Sequence, residues 1–258
     1  MKRVVTSLIL IPLITWVVLF APDFVFTATV CLFAALCWME FAGIASHYGA
    51  RFTALAGWIP GLAFLLMQRD EILLLIAIVL AALAFSLRTA DLKFAIPSAG
   101  LFLLGLLYTF GAWRSAIALH LQSQYWLLFA LTINWVGDTA AFYVGRSIGK
   151  HKLAPAISPG KSWEGAIASA IGAGAFGVFF LRWLLPDVPL PVALLLAIAG
   201  NAAGQVGDLA ESALKRGAGV KDSGTTLPGH GGWLDRLDSS LFSMPVVHIL
   251  IRLCGLPT

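Results

Sequence analysis

Three of the four aspartates in the last fifth of the chain, Asp208, Asp235 and Asp238, stand among the cations Lys215, Arg216, Lys221 and Arg236 and a glycine-rich run, Pro228-Gly229-His230-Gly231-Gly232. Asp235 and Asp238 are three residues apart in DRLD, so a helical turn sets both carboxylates on one face and turns Arg236 aside. Two acids so placed repel unless positive charge lies between them, and a divalent ion is the natural neutraliser. Oxygen ligands with few histidines nearby favour magnesium or manganese over zinc. Asp208 completes the expected ligand set, while Asp238 has a second reading as the cap of a following helix. At Gly229, Gly231 and Gly232 the missing side chains let backbone amides approach an anion, and Lys215, Arg216 and Lys221 add positive charge. His230 either donates to a phosphate or stabilises the turn. Alone, such a glycine run is a turn and a basic pair beside a membrane is a topology signal. Acids for a metal, with cations and glycines for phosphate, fall here within the 31 residues from Asp208 to Asp238, which points to metal-assisted phosphate chemistry.

Polar residues continue upstream at helical spacing. Asn201, Gln205 and Asp208 lie at i, i+4 and i+7 and lead on the same face to Ser212 and Lys215; Asn134 and Asp138 repeat the i, i+4 step. An ionisable residue in an apolar span marks a functional site by default, whereas Asn134 and Gln205 serve equally well as polar clamps between helices. In Ser158-Pro159-Gly160-Lys161-Ser162-Trp163-Glu164, Lys161 is a candidate phosphate ligand and Trp163 an interfacial anchor or a base-stacking partner. No GxxxxGK[ST] precedes a soluble helix there, so a P-loop is excluded. His47, His120, His151 and His248 show no ligand spacing.

The elements that must position these residues are membrane helices. Of 258 residues, 59% are hydrophobic and 12% charged, and the mean hydropathy is +0.89, which excludes a soluble globule, a disordered chain and a coiled coil. Apolar runs are continuous rather than alternating, so they are read as helices and not barrel strands. Nine are expected, at about 4–20, 24–46, 52–67, 71–87, 94–113, 125–145, 165–185, 192–210 and 239–253. The first is read as a retained span, since no small-x-small cleavage site precedes Pro22-Asp23. With a cytoplasmic N-terminus, thirteen of the 17 Lys and Arg residues fall inside and Arg69, Arg114, Arg182 and Arg252 outside, as the positive-inside bias requires. Two long polar loops, 146–164 and 211–238, then face the cytoplasm, and the chain is organised as N-terminal helices 1–130 followed by a catalytic region 131–258. The net charge of +4 sets topology; no compact basic stripe supports nucleic-acid binding. Cys31, Cys37 and Cys254 have neither zinc nor disulfide spacing.

The segment SALKRGAGVKDSGTTLPGHGGWLDRLD, Ser212 to Asp238, resembles the signature of the phosphatidate cytidylyltransferases, or CDP-diacylglycerol synthases: a Ser, a KR pair, a KD pair after four residues, then PGHGG and DRxD. GDTAAFYVGRSIGKHKLAPAISPGKSWEG, Gly137 to Gly165, is similar to the same family, as are chain length and span number. Trp233 departs from the aliphatic residue or Phe expected there, and residues 1–130 resemble the family in hydropathy alone. The resemblance implies transfer of a cytidylyl group from CTP to phosphatidic acid, releasing pyrophosphate, with magnesium and at the cytoplasmic boundary of a bacterial-type inner membrane. It implies metal ligation by Asp208, Asp235 and Asp238, catalytic roles for Lys215, Arg216, Lys221, Asp222 and Arg236, and substrate contacts from Asp138, Lys161, Ser212, Gly229, His230, Gly231 and Gly232. Manganese in place of magnesium, a second monovalent cation and a homodimer stay open.

Two other classes compete. A transporter with a carboxylate-lined cation site predicts inverted repeats, and the 208–238 pattern has no repeat in the first half. A CDP-alcohol phosphotransferase requires DGxxAR and a downstream GxxxDxxxD, which are absent.

Overall fold

The computed structural model describes residues 2–50, 52–67, 69–87, 91–227 and 231–256. It is an all-α, multi-pass membrane protein. The helices are α1 (Lys2–Phe20), α2 (Asp23–His47), α3 (Trp58–Leu66), α4 (Glu71–Ser86), α5 (Ala95–Leu106), α6 (Ala112–Gln122), α7 (Gln124–Ile148), α8 (Trp163–Leu184), α9 (Leu190–Gly217) and α10 (Leu234–Leu253). A 3-10 turn, Ala54–Gly57, precedes α3, and a π-helical turn, Leu107–Gly111, joins α5 to α6. Among the described residues, five helical stretches are long and apolar enough to cross a bilayer: Asp23–His47, Leu92–Gln122, Gln124–Ile148, Trp163–Leu184 and Leu190–Gly217. Leu10–Phe20, Ala54–Leu66 and Glu71–Ser86 are shorter apolar helices. Phe24, Ile96 and Trp183 are 75%, 81% and 71% exposed, an outward apolar surface that lipid and not water would cover.

Both polar loops are more ordered than their composition indicates. The first carries an antiparallel hairpin, β1 (Lys152–Ala154) with β2 (Ser158–Ser162), in the register Lys152 to Ser162 and Ala154 to Ser158. A two-stranded ribbon has only edges, so Pro159 is tolerated in it. In the second, α9 runs on to Gly217, because Glu211 to Arg216 are mostly good helix formers and Lys215 and Arg216 favour a helix C-terminus. Gly219, at φ +75°, then takes the left-handed turn that ends it. Since α10 begins at Leu234, the described residues of this loop outside helices are 218–227 and 231–233.

The chain forms two compact units. One is built on Pro22–Arg114 with Leu214–Arg236, the other on Val4–Ala21, Ser115–Ala213 and the C-terminal residues from Leu237. The first is organised around Trp38 of α2, fully buried against Phe41, Phe52, Phe102 and Phe110, with its indole N–H donating to the Ala54 carbonyl at 2.5 Å. Arg114 donates to the carbonyls of Phe64 and Met67 and pairs with Glu71, which fixes the turn between α3 and α4.

In the second unit α7 packs along α8. Polar clamps tie its helices together. Asn134 donates to Ser243 at 2.7 Å and to the Ala130 carbonyl at 3.0 Å. Asn201 accepts from Ser169 at 3.1 Å and from Gln205 at 2.8 Å. The amides in the polar stripes of α7 and α9 therefore tie helices together.

Truncating Trp38 removes the ring around which the first unit packs. Trp38→Ala is expected to cost about 3–5 kcal/mol, read as a lower midpoint of thermal unfolding in detergent; an unchanged midpoint would remove Trp38 from this role.

Candidate functional site

In the first unit the centre is Asp235, in the first turn of α10 and buried. Its Oδ1 accepts from the ammonium of Lys215, at the end of α9. Its Oδ2 accepts from the backbone N–H of Gly232 at 2.8 Å, from that of Ser223 at 2.9 Å and from the Ser223 hydroxyl at 2.9 Å. Burial disfavours the charge, but the Lys215 ammonium and the two amides outweigh it and hold the carboxyl below its ordinary value. Glycine is required beside it. Gly231 has φ +79°, and a Cβ there would lie 2.5 Å from Asp235 Oδ2 and 3.4 Å from Asp222 Cβ. At Gly232 a Cβ would come within 2.1 Å of Glu40 Oε2. These two glycines thus give the backbone close approach to carboxylates of the protein itself. Gly229 and His230 lie outside the described residues.

Glu40, of α2, is the acid that sequence patterning overlooked. It is 8% exposed and accepts from the Ser223 and Thr226 hydroxyls and from the N–H groups of Trp233 and Leu234. The available signal was a carboxylate in the apolar interior of a 25-residue helix whose other acid, Asp23, lies at its start. Around this centre Arg216, Lys221, Asp222 and Arg236 are exposed, and Arg216 donates to the Val220 carbonyl at 3.1 Å.

In the second unit the acids gather. Asp238 lies within electrostatic reach of Asp208, Glu211 and Asp138, so α7, α9 and α10 each contribute carboxylate. Glu211 is fully buried. Lys161, from β2, pairs with Asp208 at 2.6 Å, and the Ser212 hydroxyl reaches the other Asp208 oxygen at 3.4 Å, a long contact. Because α10 starts one turn before Asp238, this residue is inside the helix and is not its cap; its Oδ1 accepts from the adjacent Ser239 N–H at 2.6 Å. The hairpin that delivers Lys161 is itself fixed. Glu164 accepts from the His151 ring at 2.7 Å and from its N–H at 3.2 Å, and Ser162 caps α8 by accepting from Gly165 N–H. His151, unassigned from spacing, is therefore a strap for the hairpin, and Trp163 is 55% exposed. Among the described residues no three His, Cys, Asp or Glu side chains stand close enough to complete a ligand set. The all-oxygen chemistry of the cluster nevertheless suits a hard cation that keeps water or phosphate oxygens in its shell, as magnesium does.

A family model described as the Cytidylyltransferase family matches residues 1–254. The chain is 42% identical over 130 residues to a phosphatidate cytidylyltransferase of Staphylococcus saprophyticus, covering 50% of each chain. It is 40% identical over 161 residues to the protein of that name from Staphylococcus haemolyticus, covering 62% of this chain and 59% of the other. A third, from Bacillus subtilis, is 40% identical over 165 residues, 62% of this chain and 61% of the other. The chain thus spans between half and about three fifths of the length of these curated relatives.

The Asp235 cluster has a defined pH response. Its carboxyl is held below the ordinary 3.8, so the stability it contributes is fully present above that value and is lost as pH falls through the lowered one. Exchange of the Ser223 and Gly232 amides should therefore be constant from neutral pH down to about pH 4 once corrected for intrinsic rates. Asp235→Asn leaves Lys215 facing a neutral partner and should cost about 3–5 kcal/mol of local protection at neutral pH; unaltered exchange in that variant would contradict the assignment.

Proposed function

The chain belongs to the cytidylyltransferase family, and from that premise we propose that it transfers the cytidylyl group of CTP to phosphatidic acid, giving CDP-diacylglycerol and pyrophosphate. The observation that carries this is the family match across residues 1–254, and the relatives' names supply the lipid acceptor. The local chemistry agrees: carboxylates for a hard cation, Lys161 pairing with one of them, and a second buried centre where Asp235 fixes an ammonium.

In the proposed reaction an oxygen of the phosphatidate phosphate forms a bond to the α phosphorus of CTP. The bond from that phosphorus to the α–β bridging oxygen breaks, and its electron pair leaves with pyrophosphate. No covalent enzyme intermediate is needed. Charge accumulates on phosphate oxygens, so the protein contributes positioning and electrostatic stabilisation. Lys215, held by Asp235, is one fixed donor, and Arg216, Lys221 and Arg236 supply further positive charge. Asp222 backs onto Gly231, and Gly229 and His230 are assigned to contact with substrate phosphate. Asp208 and Asp238, with Glu211 and Asp138 around them, would hold a magnesium or manganese ion, which when bound neutralises triphosphate charge and eases departure of pyrophosphate. Asp138 and Lys161 are assigned to the entrance used by nucleotide or lipid head group.

CTP is soluble and phosphatidate is anchored in a leaflet, so the chemistry must occur at a membrane boundary. Nine spans with a cytoplasmic N-terminus place the loops containing Lys161 and Lys215 to Asp238 on the inner face of a bacterial-type cytoplasmic membrane, and the C-terminus outside. The distribution of lysine and arginine supports this orientation.

Membranes containing the protein, given labelled CTP and phosphatidate, should carry label into the lipid fraction with release of pyrophosphate; no lipid label would overturn the assignment. Asp208→Asn and Asp235→Asn should abolish turnover with the protein retained in the membrane, and near-wild-type rates would remove either residue from its role. A reporter fused at residue 258 should be active on the outer side, and a cytoplasmic signal would break the nine-span arrangement.

A further inference from the structure

Glu40 is an ionisable residue buried within an apolar helix, a position that is costly unless its oxygens are satisfied. They accept four hydrogen bonds, the full capacity of a carboxylate. Oε1 takes the Thr226 hydroxyl at 2.8 Å and the Trp233 N–H at 3.0 Å; Oε2 takes the Ser223 hydroxyl at 2.8 Å and the Leu234 N–H at 2.8 Å. All four donors belong to the signature segment 223–234. Two are amides at the start of α10, which have no acceptor within their own helix, so a side chain distant in sequence caps it. The other two are hydroxyls at the opposite end of the segment. One carboxylate therefore closes both ends of the loop.

The contact continues to the site. The Ser223 oxygen is 2.8 Å from Glu40 Oε2 and 2.9 Å from Asp235 Oδ2, so one hydroxyl proton serves two carboxylates, and Ser223 N–H also donates to Asp235. Asp235 in turn holds the Lys215 ammonium. We propose that Glu40 is a positioning residue for cytidylyl transfer, acting through Ser223 to fix the Asp235 and Lys215 pair. This rests on the transfer reaction proposed above. An isosteric Glu40→Gln replaces one acceptor oxygen by an NH2 group that faces a backbone N–H, so the fit fails by a hydrogen-bond mismatch with little change in volume.

The test compares wild type, Glu40→Gln, Ser223→Ala and the double variant in detergent with CTP and phosphatidate. Glu40→Gln should elute and melt as wild type yet lose about 30-fold in kcat, with KM for either substrate changed by less than about threefold. The double variant should lose little more than the worse single one, because both act along one path. A second readout needs no substrate: alkylation of Thr225→Cys, read on the labelled peptide by mass spectrometry, should accelerate about tenfold when Glu40→Gln is added. A wild-type kcat, an effect on KM alone, multiplicative losses in the double variant, or unchanged labelling would each overturn the proposal. Should Glu40→Gln fail to fold, Ser223→Ala alone must reproduce the loss of kcat, and a normal kcat there overturns it equally. If wild type transfers no cytidylyl group, the catalytic proposals fall together, while the labelling result still decides whether Glu40 anchors the segment.

Discussion

A carboxylate withdrawn from water is stable only when its oxygens find donors or cations, and this constraint shapes the signature segment. Asp235 meets it with an ammonium, two backbone amides and a hydroxyl; Glu40 meets it with two amides and two hydroxyls. The donors come from residues 215–234. Beside the burial of Leu234 and the packing of Trp233 on Phe33, the segment is held by satisfying buried charge. Gly231 and Gly232 follow from the same constraint, since a Cβ at either would enter the space taken by carboxylate oxygen.

The acids of the second unit are arranged differently. Asp208, Asp238, Glu211 and Asp138 are grouped from three helices, and Lys161 on the hairpin meets one of them. Excess carboxylate in one place is unfavourable by itself and becomes favourable when a multivalent cation is bound. The polar amides nearby play the opposite part. Asn134 through its NH2 group, and Asn201 and Gln205, bond to neighbouring helices and hold that part of the frame together.

Sequence patterning reads some of this well and some poorly, for identifiable reasons. The apolar runs mark helices because bilayer-length hydrophobic segments admit few other structures. The signature acids and cations stand out because an all-apolar background makes every charge conspicuous. Helix ends are less legible: α9 extends past Lys215 and α10 begins before Asp235, since polarity alone does not distinguish a solvated helix end from a loop. The β1–β2 ribbon is short and lacks a clean alternation. Glu40 was visible as an acid in the apolar interior of α2, but its partners lie more than 180 residues further along, and no local periodicity connects them.

By itself the sequence determined that this is a polytopic helical membrane protein and which family signature its acids, cations and glycines spell. Those properties are local, being set by hydrophobic run length, residue type and spacing. Tertiary structure decided which amides clamp helices, that His151 straps a hairpin, and that Glu40 caps α10. Such roles depend on which donor reaches which oxygen across the fold, and hydrogen bonding acts over about 3 Å of space whatever the distance along the chain.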